Sequence, residues 1–176
     1  MFSPDGRHIV TASYDTTAWI WNATTGMCEA RLKGHLEPVN SAVFSPNGML
    51  IVSASKDSTA RIWNIVTVQC EAELSGHSDS VNTAIFSPDG IHIVSASSDC
   101  TAQIWNTVTG ECEAELKGHT CQVSSAVFSP DGMHIGSASY DQTVWIWNLA
   151  TGECETELNP PYMSENTQLS AIGVFI

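Results

Sequence analysis

No stretch of the 176-residue chain approaches the roughly 18 consecutive apolar residues of a membrane-spanning helix, and no basic-then-apolar secretory segment opens it. A cytoplasmic, intracellular protein with no membrane association is the expectation. Basic residues are scarce: six Lys and Arg stand against nineteen Asp and Glu, a formal net charge of −13. Nucleic-acid binding rests on basic clusters that neutralise phosphates, so that partner class is excluded. Neither a phosphate-cradling G-x-x-x-x-G-K-[ST] loop nor a G-x-S-x-G nucleophile elbow occurs, and the six cysteines form no C-x-x-C pair. No cofactor and no metal are expected. Apolar residues at helical spacing are missing too.

What is present is a repeat. Shifted by 42 positions, the stretch from Gly34 to Asn64 returns along the chain. Trp63 recurs as Trp21, Trp105 and Trp147; Phe44 as Phe2, Phe86 and Phe128; Asp57 as Asp15, Asp99 and Asp141. Such regularity at this period marks a repeat architecture. Within each unit, apolar residues alternate with small polar ones in short runs that end at turn signals, so the period is two. In the Gly34 unit the strands expected are Val39 to Ser45, Met49 to Ser55, Thr59 to Asn64 and Gln69 to Leu74. Pro46-Asn47-Gly48 and Lys56-Asp57-Ser58 are the turns between the first three.

Gly-His, then FSPDG, then Ser-x-Ser-x-Asp-x-Thr, then Ile-Trp-Asn resembles the WD40 repeat family, with Trp-Asn in all four copies where that family has Trp-Asp. The resemblance covers residues 2 to 158. It implies an all-β fold of WD40-type β-propeller blades, four repeats of about 42 residues forming a half-propeller or partial ring. Blade 1 would span residues 1–33 and lack most of its first strand; blade 2 would span 34–75, blade 3 76–117 and blade 4 118–158. The family's hydrogen-bonded tetrad, carried over position by position, would be His35, Ser53, Asp57 and Trp63; His77, Ser95, Asp99 and Trp105; and His119, Ser137, Asp141 and Trp147. The first copy keeps Thr11, Asp15 and Trp21 without a histidine, so blade 1 should be the loosest.

A Ser, a His and an Asp in each unit also match the residue types of a hydrolase triad, which needs one exposed nucleophile and one oxyanion hole. Three near-identical copies favour a structural lock over a catalytic site, and no enzyme activity is expected. The glutamates of the fourth runs, such as Glu71 and Glu73, are expected to form a solvated acidic fringe that opposes edge pairing. Cys28, Cys70, Cys112 and Cys154 occupy one repeated position that the alternation places inward, as buried free thiols. His8, His92 and His134 follow the first turn and are expected to be exposed strand-end residues.

After Leu158 the repeat stops at Asn159-Pro160-Pro161, and residues 159–176 form a tail. Its apolar end, 169–176, is a candidate closing strand for blade 1. Blades of this family have the wedge shape of larger rings, since seven would take roughly 290 residues at this period. A homo-oligomer or a fragment of a larger propeller is therefore expected over a closed four-bladed ring.

Variation concentrates on one rim. Tyr14, Lys56, Ser98 and Tyr140 precede the turn aspartates, and Glu37, Asp79 and Gln122 stand in the segments after the Gly-His turns. Variable residues on a constant frame suggest a recognition face, so these seven are the candidate protein-binding residues. The close match of GECEAEL at 110–116 and GECETEL at 152–158 resembles the WD40 arrays of fungal NACHT-WD40 signalling proteins, where the array serves as sensor. A non-catalytic protein-interaction module is the function these features imply, with a self-assembling structural element as the alternative.

Overall fold

Short alternating runs bounded by Pro-Gly and Asp turns let the backbone satisfy its N–H and C=O groups by pairing each run with the next. The computed structural model describes residues 1–159, and every regular element in them is a strand. The first sheet contains β1 (His8–Ala12), β2 (Thr17–Asn22) and β3 (Cys28–Lys33). The second contains β4 (Val39–Phe44), β5 (Leu50–Ser55), β6 (Thr59–Asn64) and β7 (Cys70–Ser75). The third contains β8 (Val81–Phe86), β9 (His92–Ser97), β10 (Thr101–Asn106) and β11 (Cys112–Lys117). The fourth contains β12 (Val123–Phe128), β13 (His134–Ser139), β14 (Val144–Asn148) and β15 (Cys154–Leu158). Each sheet is an antiparallel meander in chain order, a propeller blade. Ahead of β1, Phe2 forms a single bridge with Ile9.

Strand ends differ from expectation by a residue. Ser45 leaves the first strand because its hydroxyl accepts from the Leu50 amide at 2.9 Å, closing the turn in which Gly48 takes φ +72°. The tail from 160 onward, with the candidate closing strand at 169–176, lies outside the described residues.

The core lies between blades rather than within one. Val52, Ala54, Ala60, Ile62 and Leu74 of blade 2 pack on Val81, Ala84, Phe86, Ile93 and Trp105 of blade 3. The same positions, 42 residues earlier and later, make the other two interfaces, so a single contact type is used three times. Blade 4 offers Ala138, Val144, Ile146 and Leu158 at the positions of the first set, with Leu158 46% exposed. Blade 1 offers Phe2, 60% exposed, and Trp21 at positions of the second.

The cysteine expectation is corrected here. Cys28, Cys70, Cys112 and Cys154 are exposed. In each blade the third and fourth strands slip register: Ile62 faces Ala72 but Trp63 faces Cys70, leaving Glu71 as an extra residue. That bulge interrupts the period of two, which otherwise keeps Leu74 and Ala72 inward.

Candidate functional site

Two loops per blade meet at one end of the sheet: the segment leading into the first strand, and the turn between the second and third. In blade 2, His35 comes from the former and Asp57 from the latter. His35 Nδ1 lies 2.8 Å from Asp57 Oδ2, His35 Nε2 lies 2.7 Å from Ser53 Oγ, and Trp63 Nε1 donates to Ser53 Oγ at 2.8 Å. Blades 3 and 4 repeat this through His77, Ser95, Asp99 and Trp105 and through His119, Ser137, Asp141 and Trp147, with every link at 2.8 Å. The three serines are wholly buried.

The proton positions follow from what each group can do. A carboxylate only accepts, so His35 Nδ1–H donates to Asp57. A neutral imidazole then has Nε2 as acceptor, and the Ser53 hydroxyl donates to it while accepting from the indole. Every donor has one acceptor when the imidazole is neutral. Burial pushes the His35 and His77 imidazoles below their ordinary range, the same charge state. Burial alone would raise the Asp57 carboxyl, but the Leu36 amide, the Thr59 hydroxyl and the His35 imidazole outweigh it and hold it at about 2. Asp141 is held at about 2 against burial by the hydroxyl and amide of Thr143 and by His119.

Blade 1 is different. Trp21 Nε1 donates to Thr11 Oγ1 at 2.9 Å, but this bond is exposed and Asp15 pairs with Arg31 at 2.9 Å instead of an imidazole. The site therefore separates the two properties that a hydrolytic nucleophile needs together. Ser53, Ser95 and Ser137 have a histidine and no access; Thr11 has access and no histidine.

Outside the tetrads, the same two loops are tied by backbone bonds. The amides of Lys56, Ser98 and Tyr140 donate to the carbonyls of Pro38, Ser80 and Gln122 at 2.9–3.0 Å. Their side chains are left to vary. Tyr14 is 81% exposed and the Lys56 ammonium sits 5.3 Å from its ring centroid, joining blades 1 and 2. Ser98 Oγ lies 3.5 Å from the Gln122 side-chain oxygen, joining blades 3 and 4. Tyr140 is 54% exposed, and Glu37 and Asp79 are exposed; no side-chain bond links these three to the two pairs among the described residues.

The family model described as "WD domain, G-beta repeat" matches the chain four times, over residues 1–22, 26–64, 68–106 and 110–148. The chain belongs to the WD40 repeat family. Comparison with curated proteins finds no significant match. Each of the last three WD40 matches begins two residues ahead of the outer strand of one blade and ends at or in the third strand of the next, so the sequence repeat stitches neighbouring blades together. WD40 repeats serve generally in protein–protein interaction. No helix among the described residues is long and apolar enough to cross a membrane.

The Trp-Asn departure from the WD40 pattern has a partner in the structure. Asn106 Oδ1 accepts from the amides of Val108 and Thr109, as an aspartate would, but its Nδ2 donates to Glu113 Oε1 at 2.9 Å. Asn22, Asn64 and Asn148 do the same to Glu29, Glu71 and Glu155. The other oxygens of Glu29, Glu113 and Glu155 take His8, His92 and His134 at 3.1–3.3 Å. These histidines are thus half-buried and paired, not free at the strand end, while the bulge glutamates are solvent-exposed, as the fringe reading expects, and also hold the asparagines. Asn106→Asp would set two carboxylates against each other. Chemical denaturation at neutral pH should show a loss of about 1–2 kcal/mol, recovered when Glu113→Gln is added.

Two further groups escaped the sequence reading. Thr59, Thr101 and Thr143 each donate a hydroxyl to the tetrad aspartate at 2.6–2.7 Å. Ser55, Ser97 and Ser139 cap the aspartate amides. Both sit in the Ser-x-Asp-x-Thr signature, whose fixed spacing is the signal that could have found them.

Proposed function

We propose that the chain is a non-catalytic recognition module, with the rim around Tyr14, Lys56, Ser98, Tyr140, Glu37, Asp79 and Gln122 as the docking face for a protein partner. One observation carries this: side chains that differ between blades project from backbone that the tetrads and the inter-loop bonds hold the same in blades 2 to 4. A preorganised frame spares a complex the cost of ordering loops, and exposed tyrosines supply contact area at low entropic cost. The repeat identity within the array fits a cytoplasmic sensor in a NACHT-type signalling system, with signalling output supplied by another component.

Self-assembly is the second reading. It is favoured by the exposed faces of blades 1 and 4, which carry the two complementary halves of the inter-blade contact.

One experiment separates them. Proteins retained by the wild-type chain are compared with those retained by Tyr14→Ala/Tyr140→Ala, and the solution mass of both is read by light scattering. Rim recognition predicts specific partners lost from the variant, at a cost of at least tenfold in affinity, with the mass unchanged. An identical set of partners overturns the rim assignment. A mass above the monomer that both proteins share, without specific partners, supports assembly through the blade faces.

A further inference from the structure

The end of the sheets opposite the rim carries a second surface. Between blades 3 and 4 there is a groove of about 600 Å3, walled by Ile104, Ala114, Met133 and Leu149 and bordered by His92 and Glu113. The corresponding groove between blades 1 and 2 has about 370 Å3. The difference is traceable to the loop that forms its outer wall. Ile65-Val66-Thr67-Val68 follows β6, whereas Leu149-Ala150-Thr151-Gly152 follows β14, so two valine side chains are reduced to a methyl and a hydrogen.

Charge is divided unevenly between the two ends. Arg31, Lys33, Lys56, Arg61 and Lys117 all stand toward the rim, and Arg7 of blade 1 is the one basic residue at the groove end. Beside the residues that line the groove stand Glu113, Asp131 next to Gly132, Glu153 next to Gly152, and Glu155 paired with His134. Glu113 is the member of this group that lines it. Its Oε1 accepts from Asn106 and its Oε2 from His92, and each carboxylate oxygen has a second lone pair to offer. His92, whose Nε2 serves Glu113, leaves Nδ1 shielded from solvent without a hydrogen-bond partner.

An apolar trough ending in an unsaturated carboxylate, set in a negative field, is complementary to a side chain with an aliphatic stem and a cationic head. We infer that the groove between blades 3 and 4 binds a basic, apolar-flanked segment of a partner protein, one Arg or Lys lying along Ile104, Ala114 and Leu149 with its head at Glu113. A volume of this size admits that side chain together with an apolar neighbour against Met133. The surface is distinct from the rim and works whether or not the rim is a docking face.

The test uses the full chain and two capped peptides, acetyl-Leu-Arg-Leu-Arg-Leu-amide and its glutamate counterpart, titrated calorimetrically at low and at physiological ionic strength. The arginine peptide should bind one to one, more weakly at the higher salt, and the glutamate peptide should not bind. Ala150→Val with Gly152→Val rebuilds the narrower groove. The second change places a β-branched residue at a positive φ of 69°, a strain that Val68 already carries at φ 58° in the equivalent position, and the new Cβ meets Ala114 at an ordinary 3.6 Å. This double variant and Glu113→Gln should each weaken binding about tenfold, while Tyr14→Ala/Tyr140→Ala leaves it unchanged. Should the double variant lose its thermal transition, Glu113→Gln decides alone. No binding of the arginine peptide, equal binding of both peptides, or an affinity indifferent to Glu113→Gln overturns the inference.

Discussion

Ser95→Ala should destabilise the protein by about 2–6 kcal/mol, a large share of the roughly 5–15 kcal/mol that hold a typical domain folded. The hydroxyl of Ser95 is wholly buried and serves two neighbours, accepting from Trp105 Nε1 and donating to His77 Nε2, both at 2.8 Å. Removing one oxygen leaves an indole N–H and an imidazole nitrogen without partners in a site that water does not reach. Each orphaned group costs about 1–3 kcal/mol, and the methyl that replaces the hydroxyl gains little in return. The same substitution type in blade 1, Thr11→Ala, should cost less than about 1 kcal/mol, because Thr11 is exposed and solvent takes over the bond to Trp21. Urea denaturation followed by tryptophan fluorescence measures both. Equal losses for the two variants would show that the buried network does not carry the stability assigned to it.

Acid should weaken the fold in two steps. The His35 and His77 imidazoles are held neutral below the ordinary value of 6.5, so between that value and the lower folded one the unfolded chain binds protons that the folded chain refuses. Their contribution is complete above pH 6.5 and declines as pH falls from there. The Asp57 and Asp141 carboxyls titrate at about 2 in the fold against 3.8 when free. Their contribution is complete above that free value and is lost as pH falls toward about 2. Thermal midpoints recorded across both windows should therefore be level above pH 6.5, sloping below it, and steeper once the aspartates take up protons. Each step has its own group, since the imidazole is the acceptor for serine and the carboxylate is the acceptor for imidazole, threonine and backbone. A midpoint that stays level from pH 6.5 down to 3.8 would contradict the neutral assignment of His35 and His77.

Much of the fold was legible because each feature rests on neighbours close in sequence. The strands follow from a period of two between turn residues, and Gly48 at φ +72° follows from the Asn-Gly turn it serves. Tetrad partners 10, 18 and 22 residues apart could be named because the same offsets recur in three repeats. Cys70 was misplaced for a reason equally physical. Period-two reasoning assumes an unbroken ladder, and the extra Glu71, which directly follows the cysteine, breaks it. His92 was misplaced because its partner Glu113 lies two strands away and is itself the extra residue of the equivalent bulge in blade 3.

The sequence by itself determined the all-β blades, their number among the repeats, the histidine, serine, aspartate and tryptophan of each buried network and the rim where the repeats differ. Those are consequences of alternation, turn chemistry and exact repetition, all written along the chain. Only the tertiary structure decided that the tryptophans pack on the preceding blade, that the Trp-Asn asparagine is held by a bulge glutamate, and that replacing Val66 and Val68 by Ala150 and Gly152 opens a groove. Each of these depends on how far one strand or blade sits from another. That distance is set by side-chain volume and register at the contact, and no single repeat contains both sides of it.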